Sequence, residues 1–479
     1  MRQKNEMHLI RGCMLTLALY LMLAAVFYYA AGTQLYERRS KNEIANLAGI
    51  YTAPELTGEQ TVKQVFLCEM DGLELFNILF CTFARENTGQ LQVVLRDETA
   101  QTVVYRQDLR LEELADGQTL ECMLPQRAEG VRGHVMAIEL SSDGVFGNAA
   151  APWCSDTGIA KGQQLYVNNE PVEGRMCFGA FGVDHVWTGP HYWQLVLAAG
   201  VCLCIGMAAL LFKQRYKKKS FVLTAAALLE KYRFLIRQLV SRDFKIKYKR
   251  SVLGALWSFV NPLLTMCVQY VVFSTLFKMD IPNYPVYLLS GIVLFNFFTE
   301  ATNMALYAIT GNASLITKVY VPKYIYPVSK VLSTGINLLI SMLPLFCMCL
   351  ATGICMTKAW LLLPFALVCL VVFCIGMGFL LSAVMVFFRD MQFIWNVLTM
   401  VWTYATPVFY PETILSQEMC MTLEWNPMYQ YIAFLRTVIL EGISPEPRLY
   451  LKCACCSALF LAVGFAVFRK TQDRFIFYI

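Results

Sequence analysis

The chain has 479 residues, of which 57% are hydrophobic and only 15% charged, with a mean hydropathy of +0.49. Soluble proteins average about 45–50% apolar and about 25% charged residues, so composition excludes an ordinary water-soluble fold and points to segments in lipid. The net charge of +6 conceals a split: residues 32–190 hold 12 Lys/Arg and 22 Asp/Glu, net −10, leaving +16 elsewhere.

That split predicts a separate acidic aqueous domain set into a basic membrane body. The first apolar run, residues 9–31, follows Arg2, Lys4 and Arg11. It has the ~20 residues a spanning helix needs and no clear small-x-small cleavage site, so residues 1–31 read as an uncleaved anchor.

Residues 32–190 alternate as strands do, in QVFLCEM, LQVVLRD, TVVYRQDL, HVMAIELSS and QQLYVNN, with Gly, Asp, Asn and Pro clusters between them. Many short strands predict an all-β sandwich. The five cysteines here, Cys68, Cys81, Cys122, Cys154 and Cys177, are odd in number and read as mostly free thiols. Trp153, Tyr166, Asn168 and Asn169 are candidates for a sugar site, pairing aromatic platforms with amides; the bland alternative is a scaffolding role for the domain.

A second span, residues 192–212, leads into KQRYKKK at 213–219, which marks that side as cytoplasmic and the β domain as extracytoplasmic. Residues 191–219 thus form a span with a basic end. Residues 220–252 follow, with apolar positions at helical spacing among many Lys and Arg, the pattern of an amphipathic helix on a membrane surface. The remainder, 253–479, carries apolar runs at 253–277, 287–310, 331–355, 359–388, 393–410 and 450–468, giving about eight predicted spans in all. Between residues 410 and 441 a proline-interrupted apolar stretch reads as re-entrant or interfacial helices.

Chemistry within the chain is sparse. No G-x-x-x-x-G-K-[ST] loop exists to cradle nucleotide phosphates, and no cysteine or histidine set has metal-ligand spacing. Glu300 is the only acid clearly inside one of the six later spans, and the four histidines (His8, His134, His185, His191) all precede them. Ion-coupled transport, which needs titratable groups in the spans, is therefore disfavoured. So is an enzyme reading, and nothing suggests nucleic acid as a partner.

Six blocks then carry a resemblance: RDFKIKYKRSVLGALWSFVNPL (242–263), YPVYLLSGIVLFNFF (284–298), NASLITKVYVPKYIYPVSK (312–330), FFRDMQFIW (387–395), YATPVFYP (404–411) and WNPMYQY (425–431). Together, and in this order, they resemble the ABC-2 type permeases that export O-antigen, teichoic acid and related polymers. The resemblance implies a six-helix permease core in a bacterial inner membrane. It also implies a homodimer bound to two copies of a nucleotide-binding subunit that holds the ATP and Mg, and a lipid-linked polysaccharide as cargo. The two N-terminal spans and the β sandwich lie outside it. A membrane glycan-assembly enzyme, a carbohydrate-binding scaffold and a drug or lipid permease are the competing readings.

On this resemblance the surface helix ends at Arg250, with Arg242, Asp243, Lys245, Lys247 and Arg250 as contacts to the ATPase or to the lipid carrier's pyrophosphate. Plain attraction of basic residues to anionic lipid is the alternative for each. An acid within a basic run suggests that Arg242 and Asp243 pair. The coupling helix falls around residues 315–326, where Lys318, Val319, Tyr320, Pro322 and Lys323 mix apolar and basic groups as a docking element does. Tyr270, Phe273 and Tyr404 are the channel aromatics, and Pro407, Tyr410, Pro411 and Pro427 the outer gate, against an ordinary interfacial belt and kinked helix ends. Glu300 and Arg436 are the intramembrane charges for which partners are expected.

Overall fold

The computed structural model describes residues 2–42, 50–58, 60–156, 162–216, 221–249, 253–276, 283–318, 321–412, 415 and 417–478. They form two compact units, Thr33–Trp193 and a second made of Met1–Gly32 with Gln194–Ile479.

The first unit is all β. Its thirteen strands are β1 (Glu37–Asn42), β2 (Ile50–Thr52), β3 (Thr61–Leu67), β4 (Gly72–Cys81), β5 (Gln90–Asp97), β6 (Thr102–Arg110) and β7 (Thr119–Glu129), followed by β8 (Val135–Ser142), β9 (Ala151–Ser155), β10 (Gln164–Val167), β11 (Glu170–Val172), β12 (Arg175–Met176) and β13 (Phe178–His185). One sheet runs β1-β13-β4-β9-β12, with β2 also on β9 and β7 also on β4; the other runs β11-β10-β3-β8-β5-β6. Alternation in the sequence sets the inward face: along β3, Val62, Gln64 and Phe66 are fully buried while their neighbours are not. Side chains of both sheets, among them Phe66, Phe76, Ile138 and Phe178, share one core.

Gln64 is a polar group inside that core, and it is satisfied. Its Oε1 accepts the Met176 N–H at 2.7 Å, and its Nε2 donates to Val65 O at 2.9 Å and Gln164 O at 3.3 Å. The side chain therefore ties β3 of one sheet to β12 of the other. Two asparagines, Asn168 and Asn169, adopt positive φ (51° and 64°) in the two-residue turn between β10 and β11, the conformation that type I′ hairpin turns demand. No disulfide exists among the described residues, and all five cysteines of the unit are buried free thiols.

The second unit is helical: α1 (Arg2–Ala31), α2 (Thr188–Arg215), α3 (Phe221–Tyr248), α4 (Trp257–Tyr270), α5 (Tyr284–Leu306), α6 (Ala313–Lys318), α7 (Ile325–Ala351), α8 (Leu363–Phe387), α9 (Met391–Ala405), α10 (Gln417–Leu423), α11 (Pro427–Arg436) and α12 (Pro447–Thr471). Among the described residues six helical segments are long and apolar enough to cross a membrane: 10–35, 188–213, 284–306, 325–351, 358–387 and 447–477. The other two predicted runs are helical as well but shorter. The run at 253–277 is a 14-residue α4 that continues directly into a π-helical turn at Val271–Leu276, and the run at 393–410 ends as helix at Ala405. Apolar composition alone does not reveal such local geometry.

Burial ranks the helices. Nearly four-fifths of the apolar window of α5 is inside the protein, so α5 is the axis of the bundle, whereas the windows of α1 and α2 hold almost no buried residues. Helix α8 packs on α12 with backbones in contact: a Cβ at Gly464 would lie 2.0 Å from Gly376 O. Close approach at small residues is how helices associate in lipid, where no hydrophobic drive separates them from the solvent.

Candidate functional site

The end of α3 carries the densest polar chemistry of the helical unit. Asp243 is buried, and its Oδ1 accepts two bonds from Arg242 (Nε 3.2 Å, Nη2 3.0 Å). Its other oxygen lies 3.0 Å from Nζ of Lys330 on α7. Arg242 also donates to Asn312 Oδ1 at 3.2 Å, just before α6. The anticipated Arg242–Asp243 pair is therefore present, extended by two partners that local sequence could not name. Lys245 is exposed, and Arg250 lies outside the described residues.

One turn along α3, Lys247 donates to Glu300 on α5 at 2.6 Å, and Asn337 on α7 donates to the same carboxylate oxygen at 2.9 Å. Tyr248 hydrogen-bonds Ser258 on α4 and donates to Asn337 Oδ1 at 2.8 Å. These groups border a cavity of about 190 Å3 between α3, α4, α5 and α7. Glu300 and Arg436, the two intramembrane charges, thus have separate partners.

Residues 313–318 form α6, and residues 321–324 lead into α7. Lys318 is exposed, and Val319 and Tyr320 lie outside the described residues. Pro322 is half-buried. Lys323 turns inward: its Nζ donates to Gln472 O at 2.6 Å, at the start of the C-terminal 3-10 turn Gln472–Phe477. Burial draws the Lys323 ammonium pKa down from its usual value. Ile316, Ile325 and Tyr326 share a small core with Leu239 of α3 and with Phe475. The segment is thereby held by the surface helix on one hand and the C-terminal turn on the other.

Two of the three channel candidates converge on Phe409, and the third reaches the adjoining tyrosine. Phe273 stacks on it at 5.7 Å, Tyr404 lies at 6.1 Å, and Tyr270 sits 5.9 Å from Tyr284, whose hydroxyl donates to Phe409 O at 2.7 Å. Tyr270 and Tyr404 are exposed.

The chain beyond α9 is irregular, so its carbonyls need donors. Arg436, fully enclosed, supplies them: Nη1 donates to Pro407 O at 2.7 Å, and Nη2 to Val408 O at 2.9 Å and Tyr287 O at 3.3 Å. Its guanidinium also lies 3.4 Å from the centre of the Tyr287 ring. Tyr287 in turn donates to Tyr410 O at 2.8 Å, and Tyr410 donates to Tyr404 O at 2.7 Å. Pro411 follows directly. Pro427, an outer-gate candidate, stands at a helix start. It begins α11, with Asn426 Oδ1 accepting the Met428 N–H at 3.1 Å as an N-cap, the place where proline is favourable. The sequence marks Arg436 as a charge in need of a partner; that its partners are main-chain carbonyls follows only from the break after α9.

In the β unit the four sugar-site candidates are split. Trp153 is on β9 in one sheet and Tyr166 on β10 in the other. Asn168 and Asn169 make the hairpin turn, and Asn168 Oδ1 is occupied by the Thr61 N–H at 2.9 Å. The polar pair the sequence did not single out is His134 with Asp97, 2.7 Å apart, where Asp97 is buried and also caps the Thr99 and Ala100 N–H groups at 2.9 Å each. Burial alone would raise the Asp97 carboxyl, but bonds from His134 and the two amides hold it below the usual range. Burial pushes the Cys122 thiol up to about 11 and Cys154 up to about 12, so both are unreactive thiols.

Comparison with known proteins adds the following. Residues 235–440 match the family model described as ABC-2 type transporter. The chain is 29% identical over 249 residues to the O-antigen export system permease protein RfbA of Myxococcus xanthus, covering 52% of this chain and 96% of that protein. It is 27% identical to a Klebsiella pneumoniae protein of the same name over 50% of this chain and 93% of that one. It is also similar, at 21% identity over 50% of this chain and 95% of the other, to the polysialic acid transport protein KpsM of Escherichia coli.

Proposed function

We propose, for a chain whose residues 235–440 belong to the ABC-2 type transporter family, that it is the membrane-spanning permease of an ABC exporter carrying a lipid-linked polysaccharide outward. The observation that carries this reading is that polysaccharide-export permeases align with the chain over 93–96% of their own length. The chain holds no nucleotide-binding loop, so ATP and Mg belong to a separate subunit, two copies of which bind a homodimer of this chain. The coupling helix around residues 315–326 is where that subunit docks; the packing of Ile316, Ile325 and Tyr326 and the exposure of Lys318 support this. Residues 32–190 lie outside a bacterial inner membrane, opposite the basic run at 213–219.

The aromatic group around Phe409 suits the cargo. Ring faces hold sugars weakly, and conduction requires binding weak enough to release. Purifying the tagged chain with the ATPase encoded beside it, in lipid nanodiscs, tests the proposal. A two-plus-two complex whose hydrolysis responds to mutation at Lys318 is expected. A chain that retains no ATPase, or purifies only with glycosyltransferases, would favour the assembly enzyme or scaffold instead.

A further inference from the structure

The cavity between α3, α4, α5 and α7 has polar walls deep within a membrane bundle. Asn296 sits near the middle of the 23-residue α5, flanked by the buried Phe295 and Phe297, yet it is exposed at the cavity. Asn261 on α4 is likewise exposed there. Neither amide has a hydrogen-bond partner among the described residues. Their neighbours differ: Asn337 is engaged at both ends, by Glu300 and Tyr248. An amide left without partners at membrane depth is costly, so such groups face water, a ligand or another polypeptide.

The charge on the cavity wall narrows the choice. Lys247, the cation there, is already neutralised by Glu300 at 2.6 Å, which disfavours an anionic group. Two free amides supply up to four N–H donors and two carbonyl acceptors, a match for vicinal hydroxyls. At about 190 Å3 the space equals about six waters at ~30 Å3 each, or one small polyol ring.

We propose that this cavity is a subsite for one uncharged sugar ring of the exported polymer, with Asn261 and Asn296 hydrogen-bonding its hydroxyls. The proposal rests on the exporter reading above and names where that cargo is gripped.

The test is photo-crosslinking in cells that make the polymer, using the full chain with its ATPase subunit inactivated to trap cargo. A diazirine amino acid at position 296 is expected to yield a polysaccharide adduct, and one at Val368, an exposed apolar position of α8, is not. Adducts at 296 only to a second copy of this chain, or only to lipid, overturn the subsite. So does an adduct at Tyr404 without one at 296, an outcome that leaves the exporter reading intact. Undiminished polymer export in cells lacking the chain overturns the exporter reading itself. In parallel, Asn296→Leu and Asn261→Leu should each lower export about tenfold, the scale of one lost hydrogen bond, with complex assembly unchanged. Asn296→Gln should recover part of the loss; full export by the double leucine variant would refute the proposal.

Discussion

Lys330 on α7 reaches the buried carboxylate of Asp243 on α3 at 3.0 Å, while Arg242 holds the other oxygen of the same group. The Asp243 side chain is only 4% exposed, so this pair joins the surface helix to the membrane bundle through a site that water barely enters.

Breaking a buried pair from one side costs about 3–5 kcal/mol when it leaves an uncompensated charge, and less for Lys330→Met, where Arg242 still holds the carboxylate. Asp243→Ala is therefore expected to lower the melting temperature of the purified chain sharply, and Lys330→Met to lower it by less. Asp243→Leu with Lys330→Met should recover much of the loss, since the one charge left without its partner, Arg242, has a side chain 41% exposed to solvent. Thermal melts of the three variants in detergent provide the comparison.

The α8–α12 contact is equally specific. Gly464→Ala places a methyl group 2.0 Å from Gly376 O, and the backbone must move to admit it. Overpacking of this kind costs about 1–3 kcal/mol. Gly335→Ala, in α7 with nothing within 4 Å of the new methyl, is expected to be neutral or to stabilise by up to about 1 kcal/mol. A melt in which the two variants behave alike would contradict the packing described.

In the 313–324 segment, Lys318 and Lys323 should separate. Lys318→Glu reverses an exposed charge and is expected to reduce polymer exported per ATP hydrolysed severalfold, with the fold intact. Lys323→Met instead removes the donor to Gln472 O, and its expected mark is faster proteolysis of the chain after residue 472.

Asp97 gives the β unit an acid dependence. Its folded-state pKa lies below the unfolded value of about 3.9, so its contribution to stability is complete above that value and lost as pH falls through the folded one. Melting curves of the full chain between pH 7 and pH 3 should show an acid limb below about pH 4 that Asp97→Asn flattens.

The thiols offer a further check. With Cys122 and Cys154 buried and pushed to about 11 and about 12, a maleimide at pH 7 should leave them unlabelled until the chain is unfolded. Cys355, exposed between α7 and α8 and outside the apolar spans, should react without unfolding. A reductant should not change the melting temperature.

Much of this architecture is written in local pattern. Alternation in β3 and β8 places one face inward, continuous apolar runs mark α5, α7 and α8, and the acid among bases at 242–243 announces a pair. Each signal is read within a few residues, because strand and helix periodicities are short. The π-helical turn that follows α4 and the early end of α9 left no such trace, since hydropathy does not register local backbone geometry. Pro427 was visible, but whether it breaks a helix or starts one depends on the Asn426 cap.

What the sequence by itself determined is the class: a polytopic membrane body with an acidic β domain, and the order of the six blocks shared with a transporter family. Only the tertiary structure decided who meets whom. It gave Asp243 to Lys330, Glu300 to Lys247 and Asn337, and Arg436 to the carbonyls of Pro407 and Val408. It left Asn261 and Asn296 facing one cavity without partners among the described residues. The reason is physical: periodicity fixes which face of an element is apolar, whereas the partner of a buried polar group is set by how distant elements pack, and chain order does not encode that distance.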